Sequence, residues 1–485
     1  MSLRSRAVVA LLVAAGVATA AGPAGAQGAG GDAHAAAGST GPGALSRLGR
    51  DVLREMIEVN TTDEHGSTTA LARLLAARFV AAGFPAADVQ VVGPEGTPHH
   101  SLVVRWRASG SGAAKPILLL AHLDVVEARR EDWSFDPFTL VERDGYFYGR
   151  GTMDVKGPGA TLVSSLLALR SEGFTPARDI VLALPAGEES GNANGVQWLL
   201  ANRRDLVDAA YVVNVDGGGG VLRAGRHAEF HVQAAEKVYQ SFTLTARDHG
   251  GHSSIPQPGN PIYRLARALE RLDAFRFPAT LNPVTRAYFA RDAALVGGPM
   301  GDAMRRFVAD THDAGAVKTL STDLIFNALI RTTCVATMLE GGHAENALPQ
   351  MARATVNCRL MPGSSADAVR ATLARVVADS GIAIDFIGQA TPSGPTALSP
   401  ELEAVLTRLI AEMWGPVPLL QVMETGATDG LFLRNAGIPV YGLSGVFGDL
   451  EDDRAHGRDE RIGVTAFNDG LEFMRRLVKE LAGKR

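Results

Sequence analysis

The stretch Ile117-Leu118-Leu119-Leu120-Ala121-His122-Leu123-Asp124 is an apolar run that ends in two polar residues. A short, continuous apolar run predicts a strand buried on both faces, as in a parallel sheet. Open α/β sheets bind their ligands at the carboxyl ends of such strands. Because residues i and i+2 of an extended chain lie on the same side, Asp124 can reach His122. By itself this pair is weak evidence, since a surface loop gives the same pattern.

Acidic residues follow two other predicted strands in the same way. The strand at 180–184 leads to the adjacent acids Glu188 and Glu189, and the strand at 210–214 leads to Asp216 and a run of glycines. Two adjacent acids suit a division of roles in which one binds a metal and the other is a general base, although a charged turn would look the same. The glycines lack the Lys-Ser/Thr of a P-loop and the spacing of a dinucleotide site, so we reject a phosphate cradle.

Two more polar residues complete the set. Asp154 lies in Gly149-Arg150-Gly151-Thr152-Met153-Asp154 before a predicted helix, where it could equally be an N-cap. His456 lies in a polar loop after the predicted strand at 440–443. With Asp124 assigned to His122 and one of the two adjacent glutamates to the general base, the motifs leave two histidines and three carboxylates as ligands. This is the ligand type and number for two divalent ions, zinc first.

Strands and helices alternate as far as residue 235 and again from residue 392. This alternation predicts an α/β domain with a largely parallel sheet. Between these parts the predicted order is β-α-β-β-α-β, that of a small ferredoxin-like sandwich, with a mostly helical insertion at about 277–326. We therefore predict a discontinuous α/β domain, residues 46–235 and 392–485, with an α+β domain at 236–391 inserted into it.

The composition and the beginning of the chain limit the functional classes. With 47 basic and 52 acidic side chains among 485 residues, the net charge is −5, which offers no basic field for nucleic acid. Residues 1–26 have the charge, apolar run and small-residue cleavage site near Ala26 of a secretory signal peptide. Residues 27–45 are predicted to be a flexible lead. No later stretch is long enough to span a membrane, so we expect a periplasmic or secreted protein without stable membrane insertion.

With five motifs in this order, the chain from about residue 46 to 485 resembles the M20 family of metallopeptidases, which includes carboxypeptidase S-like enzymes, aminoacylases and dipeptidases. The resemblance implies a two-zinc exopeptidase-like catalytic domain and an inserted lid and dimerisation domain, and therefore a homodimer. It also implies a cis peptide bond after Asp154. The implied roles are one zinc on His122 and Asp216, the other on Glu189 and His456, Asp154 bridging both, Asp124 orienting His122, and Glu188 as the general base.

The same resemblance implies a substrate site. His252, in Gly250-Gly251-His252-Ser253-Ser254, matches a residue that contacts the substrate carbonyl, often in the partner subunit's site. Asn346 and Arg359 match residues that hold the substrate's terminal carboxylate, and the planar fork of arginine suits that role. The segment 426–430 matches another region near the substrate. One departure is Asp216, which stands where many relatives have Glu.

The predicted activity is metal-dependent hydrolysis of an amide bond next to a free carboxylate, in a short peptide or an N-acyl amino acid. Cobalt or manganese could replace zinc. The alternative is a non-catalytic metal- or peptide-binding protein on the same scaffold, which the loss of a ligand or of Glu188 would favour; neither is missing. A serine hydrolase of the α/β type is rejected, because the chain has no Gly-x-Ser-x-Gly elbow after a strand.

The chain has two cysteines, Cys334 and Cys358, on the two predicted paired strands of the inserted domain. In an oxidising compartment they could form a cross-strand disulfide. We expect two buried free thiols instead, because a disulfide requires strict geometry.

Overall fold

The computed structural model describes residues 43–110, 114–191, 193–449 and 452–483. The predicted signal peptide and nearly all of the predicted flexible lead lie outside these residues. The first described helix begins at Ala44, two positions before the predicted start of the α/β domain at residue 46. Within the described residues, no helix combines the length and the apolarity needed to cross a membrane.

The helices flank the strands of both predicted domains and also make up the predicted insertion. They are α1 (Ala44–Glu58), α2 (Thr68–Ala81), α3 (Lys156–Ser171), α4 (Gly195–Asn202), α5 (Arg204–Val207), α6 (Pro261–Ala274), α7 (Pro283–Val296), α8 (Gly298–Ala309), α9 (Ala314–Leu320), α10 (Leu324–Leu329), α11 (Ala366–Val377), α12 (Pro400–Trp414), α13 (Gly430–Asn435) and α14 (Val464–Ala482).

The strands include several short ones that the sequence pattern does not reveal. They are β1 (Val89–Val92), β2 (Ser101–Trp106), β3 (Ile117–Leu120), β4 (Val141–Arg143), β5 (Tyr146–Tyr148), β6 (Ile180–Leu184), β7 (Tyr211–Asn214), β8 (Gly219–Arg223), β9 (Arg226–Glu236), β10 (Val238–Arg247), β11 (Gly251–His252), β12 (Thr333–Gly341), β13 (Ala347–Leu348), β14 (Met351–Leu360), β15 (Ile382–Ile387), β16 (Leu419–Glu424), β17 (Val440–Gly442), β18 (Phe447–Asp449) and β19 (Arg461–Gly463).

The large sheet has the order β1-β2-β6-β3-β7-β17-β9-β8-β18, with β16 also paired to β9. Its centre, β6-β3-β7-β17, is parallel. All residues of β3 and β6 are buried, because helices cover both faces of the sheet. Side chains of α1, α2, α3 and α14 share the core on one face, and those of α4, α5 and α13 share the core on the other. This confirms the predicted α/β fold class.

The second sheet is antiparallel, in the order β12-β14-β10-β15. Helices α6 and α11 share its core. The order β-α-β-β-α-β is therefore the ferredoxin-like one that the pattern predicts. The chain passes from the large sheet to this one between β9 and β10, and it returns after β15.

Helices α7 to α10 form the helical insertion between α6 and β12. They build a core of their own, which includes Phe289, Phe307 and Phe326. The same core contains Leu420 and Val422 of β16, so the insertion packs on the edge of the large sheet.

Cys334 and Cys358 form a disulfide. They are direct cross-strand partners on β12 and β14. The expectation of two free thiols is therefore wrong. The sequence pattern places the two residues on paired strands, but it does not reveal that the register sets them opposite each other.

Candidate metal centre

The predicted site residues follow neighbouring strands at one edge of the large sheet. Strands β6 and β7 both pair with β3 in parallel, so their carboxyl ends point the same way. His122 lies two residues beyond β3, Glu188 and Glu189 follow β6, and Asp216 follows β7. The sheet therefore brings together side chains that are almost a hundred positions apart.

One group of possible ligands contains His122, Asp154 and Asp216, whose ligand atoms all lie within 4.8 Å of one another. His122 is only 2% exposed. Its Nε2 atom lies 3.1 Å from Oδ1 of Asp154 and 3.8 Å from Oδ1 of Asp216. Three donors of this kind, close and convergent, form half of a two-metal site.

A second group contains Asp154, Glu189 and His456. Nε2 of His456 lies 3.0 Å from Oδ2 of Asp154 and 3.0 Å from Oε2 of Glu189. Asp154 thus presents Oδ1 to the first group and Oδ2 to the second. The peptide bond Asp154–Val155 is cis, as predicted.

Asp124 contacts His122 differently from what the motif predicts. Nδ1 of His122 lies 2.9 Å from the backbone carbonyl oxygen of Asp124, whereas the nearest carboxylate oxygen of Asp124 is 3.8 Å away. A proton on Nδ1 would be donated to that carbonyl, which leaves Nε2 free for a metal. The Asp124 carboxylate instead accepts from the backbone N–H groups of Glu188 and Glu189, at 3.2 and 2.9 Å. It therefore fixes the turn that carries both acids.

Glu188 forms a third close group with His122 and Glu189. Burial, together with the negative charges of Asp216, Asp429 and Glu189, raises the pKa of the Glu188 carboxyl well above its usual range, although His122 opposes the shift. Gly187 precedes it in a left-handed conformation, φ 73°, which a glycine adopts at no steric cost. Glu188 thus lies beside the ligand groups, and the charges of the ligands His122, Asp216 and Glu189 influence the pKa of its carboxyl.

The electrostatics of the site favour added positive charge. Burial and the carboxylates of Asp154, Asp429 and Glu189 raise the pKa of Asp216 well above its usual range, although His122 opposes the shift. Hydrogen bonds to Asp154 and Glu189 raise the pKa of His456 to about 10. Groups of carboxylates this close attract protons or cations. The donor set, imidazole nitrogen plus carboxylate oxygen, fits divalent ions such as zinc, cobalt or manganese.

Glu460 is an important residue to which the motif assigned no role. Its buried carboxylate accepts from the backbone N–H groups of Gly151, Met153 and Asp154, and from Nη1 of Arg150 at 2.6 Å. The only signal in the sequence is its position four residues after His456. Glu460 holds the loop that presents Asp154.

Asp429 is a second residue that sequence reasoning missed, although segment 426–430 was singled out. It is buried, and its Oδ1 accepts from Nδ2 of Asn194 at 2.6 Å. Burial raises the pKa of its carboxyl to about 7. Asp429 and Asn194 both line the cleft that contains the metal-ligand groups.

The cleft has a volume of about 500 Å³, and Arg359 lies in its wall together with Asp154, Glu188 and Asp216. The guanidinium group of Arg359 lies 4.7 Å from the ring centroid of Tyr239. Among the described residues, no carboxylate lies at ion-pair distance from it. A cation left free in the wall of a cleft is suited to bind a negatively charged group of a ligand.

His252 and Asn346 lie elsewhere. His252 lies in β11, which pairs with β13, and Asn346 directly precedes β13. The backbone N–H of Ser253 donates to the carbonyl oxygen of Asn346 at 3.1 Å. His252 and Asn346 are both exposed, and neither is among the described residues that line the cleft. The structure thus brings Arg359 to the metal groups but not these two.

Fold and site together define a metal-dependent hydrolase with a two-metal centre. Residues 118–480 match the model of peptidase family M20/M25/M40. The match covers most of the chain, and the chain belongs to this family. It is accordingly an enzyme that hydrolyses amide bonds with the help of metal ions.

Two curated relatives and one solved structure illustrate the similarity. The chain is 30% identical, over 75% of its length and 72% of the relative's, to the N-fatty-acyl-amino acid synthase/hydrolase PM20D1 of Xenopus tropicalis. It is 28% identical, over 79% of its length and 74% of the relative's, to probable carboxypeptidase S-like 2 of Dictyostelium discoideum. The M20 family metallo-carboxypeptidase Sso-CP2 of Sulfolobus solfataricus has the same fold, with a TM-score of 0.67, 17% identity, and coverage of 89% of this chain and 98% of that one.

Proposed function

We propose that the protein hydrolyses an amide bond next to a free carboxylate, in a short peptide or an N-acyl amino acid. The observation that carries this proposal is that Arg359, which has no carboxylate at ion-pair distance in the described part of the chain, lies in the same cleft as the two ligand groups that share Asp154. A substrate carboxylate on Arg359 would place a nearby amide carbonyl at the metal groups. The names of the two curated relatives, N-fatty-acyl-amino acid synthase/hydrolase and probable carboxypeptidase S-like 2, are consistent with such substrates.

The proposed metal is zinc, held as two ions. His122 and Asp216 would hold one, Glu189 and His456 the other, and Asp154 would bridge them. Two Zn²⁺ ions carry four positive charges and the three carboxylates carry three negative ones, so a partly buried site stays close to neutral. Cobalt or manganese would suit the same donors.

Glu188 is the proposed general base. The two ions, when bound, lower the pKa of the attacking water and polarise the carbonyl. Glu188 would take a proton from that water and hand it to the leaving nitrogen, so one carboxylate serves as base and then as acid. The closeness of Glu188 to His122 and Glu189 supports this role.

His252 and Asn346 are proposed to act across a homodimer. In one chain both side chains are exposed, His252 in β11 and Asn346 just before β13, and neither is among the described residues that line the cleft. Strand β12 is one edge strand of the second, antiparallel sheet, and it exposes Val335, Met338 and Leu339. An exposed apolar edge strand is a natural pairing surface between subunits. A second copy there would allow His252 and Asn346 of the partner subunit to contact the substrate carbonyl and carboxylate.

Subunit mixing tests this arrangement. His252→Ala and Glu188→Gln homodimers should each be inactive. An equal mixture that exchanges subunits should regain about a quarter of wild-type activity, because half of the dimers then contain one intact site. A mixture that exchanges subunits but stays inactive would place His252 in its own chain's site. An active His252→Ala homodimer would place His252 outside catalysis.

The activity itself is tested with matched substrates. The purified protein is assayed on dipeptides and N-acyl amino acids, and each substrate is compared with the same compound carrying a C-terminal amide in place of the carboxylate. Each assay is run on the protein as purified, after metal removal and after zinc is restored. We expect hydrolysis of the free acids only, lost on chelation and recovered with zinc. The best substrate separates peptidase from aminoacylase. Equal rates on acids and amides would contradict the role of Arg359, and activity unaffected by chelation would contradict the metal centre.

The proposed location is the periplasm or the exterior. The Cys334–Cys358 disulfide supports this, because structural disulfides persist mainly in oxidising compartments. Fractionation of the native host should place the enzyme outside the cytoplasm, and a cytoplasmic pool with both thiols free would contradict export.

A further inference from the structure

A second cavity, of about 210 Å³, lies outside the metal centre. Its wall is formed by the end of α6, the segment after it, helix α10 and the start of β12. Its lining includes the aromatic residues Phe275 and Phe277 and the polar residues Asp273, Arg276, Arg331 and Thr333.

Arg331 is the key residue of this cavity. It is only 5% exposed, and its Nε atom has no hydrogen-bond partner among the described residues. One Nη atom donates to the hydroxyl of Ser321 at 2.9 Å. A guanidinium group cannot lose its proton in a protein, so Arg331 carries a buried positive charge.

Further positive charges surround Arg331. Lys237 is 1% exposed, and its Nζ donates to the hydroxyl of Thr333 at 3.2 Å. Burial, with the charges of Arg359 and Arg331, lowers the pKa of the Lys237 ammonium to about 7. Burial and the charge of Arg276 also lower the pKa of Arg331.

No carboxylate in the described part of the chain lies at ion-pair distance from Arg331, Lys237 or Arg276. Lys237 can become neutral by losing a proton, but Arg331 cannot. The exposed carboxylate of Asp273 lies in the cavity wall but not at ion-pair distance from Arg331. Because a buried charge without a counter-ion is strongly unfavourable, an added anion beside Arg331 would be stabilised.

We propose that this cavity binds a small organic carboxylate, with its charged end at Arg331 and Arg276 and its apolar part against Phe275 and Phe277. A guanidinium fork matches the two oxygens of a carboxylate. The carboxylate of Asp273, which also lines the cavity, disfavours a dianion such as phosphate. The site is separate from the catalytic cleft, because the two sets of lining residues share no member.

Calorimetry with sodium isobutyrate at constant ionic strength tests the proposal. The protein carries Arg359→Ala, so that the catalytic cleft does not bind the probe through its own arginine. We expect saturable binding of one isobutyrate per chain and no binding of the uncharged isobutyramide. Arg331→Met and, separately, Arg276→Ala are expected to weaken binding about tenfold or more, because each removes a charge-assisted hydrogen bond.

The matched control is Arg267→Ala, an exposed arginine on the same helix α6, which should leave binding unchanged. Arg276 is also exposed, so its variant gives a result even if Arg331→Met fails to fold. The proposal is overturned if isobutyrate gives no saturable heat or if neither cavity variant weakens binding. Tighter binding of inorganic phosphate than of isobutyrate would overturn the assignment to carboxylates.

Discussion

The carboxylate of Glu460 accepts a hydrogen bond from the backbone N–H of Asp154 at 3.0 Å, across 306 positions of sequence. The same carboxylate binds two other N–H groups of that loop and the side chain of Arg150. Asp154 is the one residue shared by both ligand groups. Its position therefore depends on a residue that would touch neither metal nor substrate.

We predict that Glu460→Gln weakens metal binding about 10–100-fold, as is usual for residues that orient ligands. An amide offers fewer acceptors to these donors and leaves Arg150 without its counter-charge, which should cost about 3 kcal/mol of stability. Metal titration and thermal unfolding measure the two effects. Exposed Glu131→Gln is the matched control. Unchanged metal affinity in the Glu460 variant would show that Asp154 needs no such support.

Glu188 and its neighbour Glu189 should respond differently to the same change. Glu188→Gln is expected to keep two ions per chain and lose about 10²–10⁴-fold in kcat, because only proton transfer is removed. Glu189→Gln should also lose an ion, since it removes a ligand of the second group. Metal analysis beside steady-state kinetics separates the two. If Glu188→Gln lost metal as well, Glu188 would be a ligand and another group would be the base.

The central strands and the residues that follow them could be predicted from the sequence. Strands β3 and β6 are continuous apolar runs because both faces of the sheet are covered, and this pattern is strong. The polar residues that follow these strands could be identified because they directly succeed the apolar runs.

Strand β9 was not predicted, because its sequence mixes apolar residues with buried polar ones. Glu229 pairs with Arg223 and His231, and Glu236 pairs with Arg434, so tertiary contacts make these polar side chains acceptable inside. Hydropathy does not show such partners. The roles of Glu460 and Asp429 were hidden in the same way, since each acts through backbone or amide groups of a distant segment.

The Cys334–Cys358 bond should contribute to stability, because it closes a loop with a sequence separation of 24. A cross-link of this span restricts the unfolded chain and is worth about 3 kcal/mol. Cys334→Ala with Cys358→Ala is expected to lower the melting temperature, as is reduction of the wild type. Reduction of the double variant is the control and should have no effect. Two thiols that react in the unfolded, unreduced protein would contradict the bond.

Asp292 provides a pH-dependent test that is remote from the metal centre. It lies on α7 and is fully buried, and burial together with the charge of Glu229 raises the pKa of its carboxyl to about 6. The unfolded chain holds this proton with a pKa near 4. Because the native protein binds the proton more tightly, rising pH removes stability between about pH 4 and pH 6.

Asp292→Asn keeps the shape and cannot ionise. The variant should therefore be more stable than wild type by about 2 kcal/mol at pH 7.5, and the difference should shrink as the pH falls towards 4. Denaturant unfolding at several pH values measures it. The exposed surface pair Asp302–Arg305 supplies the control, since Asp302→Asn should change stability little at any pH. The opposite result would be a stability difference between variant and wild type that falls, rather than rises, from pH 5 to pH 7.5. It would mean that ionised Asp292 stabilises the fold through the charges of Arg223 and His231, which act to lower the pKa of Asp292.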